Sequence, residues 1–198
     1  MQFHNVKTTT AKLEEIMKTV RVGVIGVGVM GERHVRVYSS LRGVNLIGLA
    51  DCDQARAQAI AAHYDSNYFE NYRQLLAEVD AVSIAASTAA HFELALQALE
   101  QGVHVLVEKP MTETVAQGQQ LVAKARELQK VLQVGHIERF NPAYIELKNV
   151  TEGMKLVAVD IRRLSPFNSS NTDVDVIRDL MIHDLDLVVD LIQSDLYT

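Results

Sequence analysis

The sequence predicts an α/β fold in which a doubly wound parallel sheet is followed by an incomplete α+β domain. Three observations predict it. Short apolar runs alternate with segments of helical periodicity, a glycine-rich turn joins the first run to the first helix, and the character of the chain changes after Asn141-Pro142. The 198 residues are enough for one sizeable domain and a smaller one, because a chain of this size buries most of the surface that its unfolded form exposes.

The elements follow in order. Residues 1–19 contain a second methionine, Met17, and are set apart as an N-terminal extension without an assigned function. Val20–Ile25 reads as a buried strand, residues 32–41 as a helix and Val44–Ala50 as a second strand. An alanine-rich helix over 55–64, a short strand at 68–69, a helix over 72–77 and an apolar strand over 81–86 repeat the alternation. Residues 91–101 carry Phe92, Leu94, Ala95, Leu96, Ala98 and Leu99 at helical spacing, with Gly102 as the stop and a strand over 103–107 behind it. Thr112 is expected to cap a helix that runs to about Gln129, ahead of a last strand at 131–134. Such alternation implies a parallel sheet covered by helices, over residues 20–139. Residues 140–198 open a second, α+β domain: a short helix, an alternating strand over 155–164, an Asn/Ser-rich loop at 168–172 and a helix over 176–192.

Composition excludes several classes. With 48% hydrophobic and 22% charged residues the chain is globular rather than disordered. A net charge of -6 with dispersed Lys and Arg argues against a general nucleic-acid surface. No apolar run approaches the roughly 18 residues of a membrane span, and the first 18 residues lack the apolar core of a signal peptide. Cys52 is the single cysteine, reads as a small buried group and requires no oxidising compartment, so a cytoplasmic protein is expected.

The turn Gly26-Val27-Gly28-Val29-Met30-Gly31 follows a strand, opens a helix and is answered about 20 residues later by Asp51 at the end of the second strand. In that context it reads as the dinucleotide fingerprint of a Rossmann domain. Gly26 permits the tight turn, Gly28 lets the backbone approach a pyrophosphate, and Gly31 allows close helix packing. The helix N-terminus receives the phosphate charge. Asp51 accepts hydrogen bonds from the adenosine ribose and repels a 2′-phosphate, which favours NAD over NADP, while Arg56 weighs the other way. The cofactor candidates are Gly26, Gly28, Val29, Met30, Gly31, Asp51, Thr88, His91, Glu108 and Lys109, of which Thr88 and His91 read equally as helix-start residues.

Val107-Glu108-Lys109-Pro110 closes the fifth strand, where ligands gather in such sheets. Together with the fingerprint, Gly135-His136-Ile137-Glu138-Arg139-Phe140-Asn141-Pro142 and Asp179-Leu180-Met181-Ile182-His183-Asp184, it resembles the glucose-fructose oxidoreductase, inositol dehydrogenase and MocA (Gfo/Idh/MocA) family from about Lys18 onward. The last two segments are most similar to members that oxidise a UDP-linked amino sugar at C3, the UDP-N-acetylglucosamine 3-dehydrogenase type. The resemblance implies an active-site set of Lys109, Asp179 and His183, and a homo-oligomer if the C-terminal domain is complete. There are two departures. Ser87 stands where the family usually has proline, and the second-domain sheet that walls the substrate site in the family is expected to lie largely outside this sequence, as in a fragment or a truncated relative.

Oxidising a sugar hydroxyl requires a base for the O–H proton, while the nicotinamide accepts the hydride. His183, with an ordinary imidazole value of about 6.5, suits the base, and Lys109, near 10.4, suits stabilisation of a developing alkoxide. Asp179 lies one helical turn before His183 and can orient it. The bland readings are charge pairs on the surface, Glu108 with Lys109 and Asp179 with His183. Arg139 and Asn141 are substrate candidates for a phosphate or hydroxyls, with Arg139 equally able to cap a strand end. No metal site is expected, since His136, Glu138, His183 and Asp184 lack a ligand spacing. The leading expectation is an NAD-dependent oxidoreductase acting on a sugar or sugar nucleotide. The alternative is a non-catalytic NAD(P)-binding regulator or sensor, and the third a scaffold.

Overall fold

The structure, a computed structural model, describes residues 19–164 and 175–192. The chain divides into two compact units, residues 1–133 and 134–198. The Asn/Ser-rich loop expected at 168–172 lies outside the described residues.

Six strands and five helices alternate through the first part of the chain: β1 (Val20–Ile25), α1 (Val29–Tyr38), β2 (Val44–Ala50), α2 (Gln54–His63), β3 (Asn67–Tyr68), α3 (Tyr72–Glu78), β4 (Ala81–Ile84), α4 (Thr88–Glu100), β5 (His104–Val107), α5 (Val115–Glu127) and β6 (Leu132–Val134). They form one sheet of order β3-β2-β1-β4-β5-β6. The β1–β2, β1–β4, β2–β3 and β4–β5 pairings are parallel. The expected doubly wound parallel sheet is therefore present, with the order reversing at β1, where such folds place their ligand. Register sets the edge level. Ile25 pairs with Ala50 and Ile84, and Ile84 with Val107, so Gly26, Asp51, Ala85 and Glu108 leave the sheet side by side at its carboxyl edge.

Apolar burial holds this sheet. Val24, Val27, Val35, Leu49, Ala57, Ile60 and Ala61 form a core against which Tyr38, Leu46, Tyr64 and Tyr68 pack. Each fully buried Val or Leu there stabilises the fold by about 1.5–3 kcal/mol relative to exposure.

Several boundaries differ from the sequence reading. α1 starts at Val29, three positions before the apolar pattern begins, because the glycine turn itself supplies the first helical residues. β4 stops at Ile84, and Ala85–Ala86 belong to the following loop. Thr112 does not cap α5. Thr114 does, accepting from the Gln117 N–H at 3.3 Å while the Gln117 side chain accepts from the Thr114 N–H at 3.1 Å, and Thr112 Oγ1 donates to the Thr114 carbonyl.

In the second unit α6 (Pro142–Thr151) starts on Asn141, whose side chain accepts from the Ala143 N–H at 3.0 Å. The strand expected over 155–164 is not formed. That segment has the alternation of a strand, but among the described residues no neighbour pairs with it, and a strand exists only through its ladder. The last helix opens with a five-residue π turn, Ile177–Met181, and continues as α7 (Ile182–Ile192). Asp175 accepts from the Ile177 and Arg178 N–H groups at its start.

Candidate cofactor site and catalytic residues

The glycine turn is shaped by contact. Gly26 has φ +84°, and a Cβ there would meet the Ala86 nitrogen at 2.5 Å; a Cβ on Gly31 would meet the Gly26 carbonyl oxygen at 1.8 Å. Gly31 is thus required by the turn folding back onto α1 more than by helix–sheet packing. A Cβ on Gly28 would meet nothing within 4 Å. The space beside this middle glycine opens onto the cleft that Gly28 lines.

The helix ends divide in the same way. α2, α3, α5 and α6 are capped by Asp53, Asn71, Thr114 and Asn141. α1 and α4, whose N-cap residues Gly28 and Ser87 border one cleft, have no side-chain cap among the described residues. Their first N–H groups and the positive ends of their dipoles face an open site, the arrangement that binds phosphate.

That cleft, of about 550 Å³, is lined by Ile25, Gly26, Gly28, Ala50, Asp51, Cys52, Arg56, Glu70, Tyr72, Ala85, Ala86, Ser87, Ala90 and Leu94. It brings together Gly26, Gly28 and Asp51 from the sequence candidates. Val29, Met30, Gly31 and Thr88 sit in the first turns of α1 and α4 behind the lining. Asp51 Oδ2 accepts from the Val27 N–H at 2.6 Å, and Oδ1 accepts from the Asp53 N–H at 2.8 Å and from Arg56 at 3.0 Å. Burial alone would push this carboxyl up; the N–H groups of Val27, Asp53 and Arg56, with the Cys52 thiol, hold it below the usual carboxylate range. Cys52 is exposed and not buried as its residue type suggested. A larger cleft of about 890 Å³ in the second unit, between the end of α6, residues 152–159 and the end of α7, contains none of the sequence candidates.

Two cofactor candidates take other places. His91 is 1% exposed, with its ring nitrogens 2.9 Å from the Pro110 carbonyl oxygen and 3.0 Å from that of Ala86. It stands at the end of the first turn of α4, three residues after the helix starts at Thr88, and ties the loops after β4 and β5 together. Glu108 is 7% exposed, so it is not half of a surface charge pair. Its Oε1 accepts from His34 Nε2 at 2.9 Å, and His34 Nδ1 lies 2.5 Å from Ser83 Oγ. Burial pushes this carboxyl up, and the hydrogen bond and attraction of His34, with the Lys109 N–H, bring it below its ordinary value. The sequence reading missed His34. The signal was its place three residues after Gly31, on the helix face that turns to the sheet.

In the second unit, Arg139 lies 2.7 and 2.8 Å from the two carboxylate oxygens of Asp186 and 3.3 Å from Asp190. Asn141 is committed to the α6 cap and to Glu138, to which its amide donates at 3.1 Å. Both expected substrate residues therefore serve local structure: their polar groups are matched within the unit. Arg163 pairs with Asp184, and Lys148 and the Tyr144 hydroxyl meet Asp190. Asp179 falls in the π turn and His183 in the first turn of α7, both half-buried; π turns inside helices are common at functional sites. Lys109 is half-buried in the turn after β5, in the first unit. Among the described residues no three His, Cys, Asp or Glu side chains are arranged to hold a metal ion, and no helix is long and apolar enough to cross a membrane.

Residues 20–136 match the model of an oxidoreductase family with an NAD-binding Rossmann fold, Gfo/Idh/MocA. The chain is 42% identical over 170 residues to UDP-N-acetylglucosamine 3-dehydrogenase from Acidithiobacillus ferrooxidans, covering 86% of this chain and 53% of that protein. A solved structure of that enzyme superposes with a TM-score of 0.82 at 40% identity, over 90% of this chain and 58% of the other. An inositol 2-dehydrogenase/D-chiro-inositol 3-dehydrogenase from Shouchella clausii is 35% identical over 181 residues, 86% of this chain and 52% of its own length. The structure of GenD2 from gentamicin A biosynthesis in complex with NAD matches 69% of this chain and 40% of its own, with a TM-score of 0.66 and 28% identity. The chain thus spans about half the length of the curated relatives it matches. A fingerprint turn at the switch point of a parallel sheet, its acidic partner at the same edge and this run of matches agree: the chain belongs to the Gfo/Idh/MocA oxidoreductase family and carries its NAD-binding Rossmann fold.

Proposed function

We propose that this chain binds NAD in the cleft at Gly26–Gly31 and Asp51 and forms part of an oxidoreductase that oxidises a sugar-nucleotide hydroxyl, at C3 of UDP-N-acetylglucosamine or a close analogue. The single observation that carries the binding half is the pair of uncapped helix N-termini beside the open space at Gly28. The substrate rests on the likeness to UDP-N-acetylglucosamine 3-dehydrogenase.

In this reading the pyrophosphate takes the N–H groups at the start of α1, and Asp51 takes the adenosine ribose. Nicotinamide supplies the hydride acceptor when bound. Lys109 stabilises negative charge on the substrate oxygen, His183 takes the hydroxyl proton, and Asp179 orients His183. Glu108 holds the Lys109 turn in place through His34. The assembly is proposed as a homo-oligomer in the cytoplasm.

Fluorescence titration with NADH tests the binding half, and NAD reduction on adding UDP-N-acetylglucosamine to the intact gene product tests the reaction. Lys109→Ala and His183→Asn are expected to lower the rate at least about 100-fold, the scale of general acid–base catalysis, with NADH binding retained. Unchanged rates in both variants would remove those residues from the chemistry; absence of NADH binding would overturn the whole reading.

A further inference from the structure

We infer that His34 and His91 are positioning residues that register the Lys109 turn to the cofactor cleft, so that a cofactor bound at the starts of α1 and α4 also orders Lys109; this rests on the dinucleotide reading proposed above. Each flank of Lys109 meets a different buried histidine. On the near flank, Glu108 Oε1 accepts from His34 Nε2 at 2.9 Å and Oε2 accepts from the Lys109 N–H at 3.3 Å. The other nitrogen of His34 meets the hydroxyl of Ser83, a fully buried residue of β4. With Nε2–H turned to the carboxylate, Nδ1 of a ring carrying one N–H accepts from that hydroxyl, so Ser83 holds the ring as Glu108 needs it. On the far flank, the Pro110 carbonyl oxygen lies 2.9 Å from His91 Nδ1, and the Ala86 carbonyl oxygen lies 3.0 Å from Nε2. An N–H on either nitrogen anchors one loop, and N–H on both anchors the two at once.

The two helices that carry these rings are the two whose starts border the cleft without a side-chain cap. His34 stands in α1, three residues after Gly31, and His91 in the first turn of α4. Ala86, which His91 meets, lines the cleft together with Ser87 and Gly28. α2, α3 and α5 are capped by their own neighbouring side chains and leave no such N–H groups for a ligand. A ligand that fixes the first turns of α1 and α4 therefore fixes both anchors of the Lys109 turn. Linkage makes the effect reciprocal: an ordered turn favours the bound ligand by the same factor. Loss of one histidine frees one flank of Lys109 while the glycine turn and Asp51 keep their own bonds.

The test is amide hydrogen exchange at Glu108 and Lys109 in the intact gene product, with and without NADH, for wild type, His34→Leu, His34→Gln, His91→Leu and Ser83→Ala, each also titrated with NADH by fluorescence. The Glu108 N–H donates to the Ile84 carbonyl at 2.9 Å and the Lys109 N–H to Glu108 Oε2, so both report opening of the turn. In wild type, NADH at about 100 times its Kd is expected to slow both amides at least about tenfold. In His34→Leu and His91→Leu, NADH affinity is expected to change less than about threefold while the slowing drops below about threefold. His34→Gln keeps a donor toward Glu108 and restores most of the slowing; Ser83→Ala keeps both histidines and loses part of it. With UDP-N-acetylglucosamine as substrate, the loss in the Leu variants is expected in kcat, about tenfold, and not in the KM for NAD. Should a Leu variant fail to fold, Ser83→Ala carries the same comparison. Histidines that only support the fold would speed exchange equally with and without NADH and leave the ratio at its wild-type value; that result overturns the inference, as does slowing that persists in both Leu variants, because NADH then covers the turn directly. Absence of NADH binding by wild type would instead overturn the dinucleotide reading itself.

Discussion

Residues 19–133 and the described residues from 134 onward face the same demand, to cover apolar side chains and pair backbone groups, and meet it differently. In the first, the strands are laddered and Val24, Leu49, Ile84 and Leu99 are fully buried. In the second, Tyr144 is the one buried hydrophobic side chain among the described residues, while Val157 and Leu164 are each 93% exposed. What joins elements there is ionic: Arg139 with Asp186, Lys148 with Asp190 and Arg163 with Asp184. Partly exposed pairs of this kind contribute roughly 0–1 kcal/mol each. Among the described residues apolar burial is therefore concentrated in the sheet, and the candidate cofactor cleft stands at its edge.

Amide hydrogen exchange breaks this comparison most directly and has the largest expected effect. The N–H groups of β1 and β4, paired on both sides within the sheet, should open only by global unfolding, on the order of 5–15 kcal/mol. Those of residues 155–164 should exchange at close to free-peptide rates, since none of them is in a ladder. Protection of 155–164 equal to that of β1 would show that the second unit has a backbone partner and would dissolve the contrast.

The glycine turn sharpens the comparison within the first unit, between residues that the fold requires and a residue that a ligand requires. Gly31→Ala puts a Cβ 1.8 Å from the Gly26 carbonyl oxygen, so backbone must shift. A loss of about 3 kcal/mol in urea unfolding is expected, the upper end of ordinary overpacking. Gly28→Ala meets nothing within 4 Å and should leave stability within about 0.5 kcal/mol. It should nonetheless weaken NADH at least about tenfold, the equivalent of about 1.4 kcal/mol. If Gly28→Ala bound NADH as wild type does, the open space at Gly28 would have no ligand to explain it.

How far the sequence exposed all this follows from which interactions are local. β1 and β2 were legible to the residue, because buried strands are continuous apolar runs, and Gly26 to Gly31 with Asp51 were legible because each residue answers a backbone or charge requirement close in the chain. The His34–Glu108 pair was not, since it joins residues separated by 74 positions and only the β1–β4–β5 register brings them together. Arg139 and Asn141 carried the right chemistry for a substrate phosphate, and nothing in their own spacing revealed that Asp186 and the α6 N-terminus would use it first. The segment 155–164 shows the converse: alternation is a property of one strand, but strand formation belongs to a pair.

The smallest expected effect distinguishes a carboxylate anchored for structure from one exposed to ligand. Glu108 has its folded-state value below the ordinary one, so its contribution to stability is fully present above the unfolded glutamate value of about 4.3 and is lost as pH falls through the folded value. His34→Ala removes the hydrogen-bond partner at 2.9 Å and leaves a carboxylate 7% exposed without it. The expected cost is about 2 kcal/mol near neutral pH, within the range for hydrogen bonds to charged groups. The cost should shrink as pH falls through the lowered folded-state value of Glu108, where protonation removes the charge that His34 serves. Glu108→Gln should flatten the same acid limb of a plot of melting temperature against pH, while leaving the Asp51 contribution in place, since Asp51 is held by Val27, Asp53 and Arg56 and not by His34. A His34→Ala penalty that stayed constant from neutral to acid pH would mean that His34 acts by packing against Tyr38, whose ring it meets edge-on at 6.3 Å, and that Glu108 is held by the Lys109 turn alone.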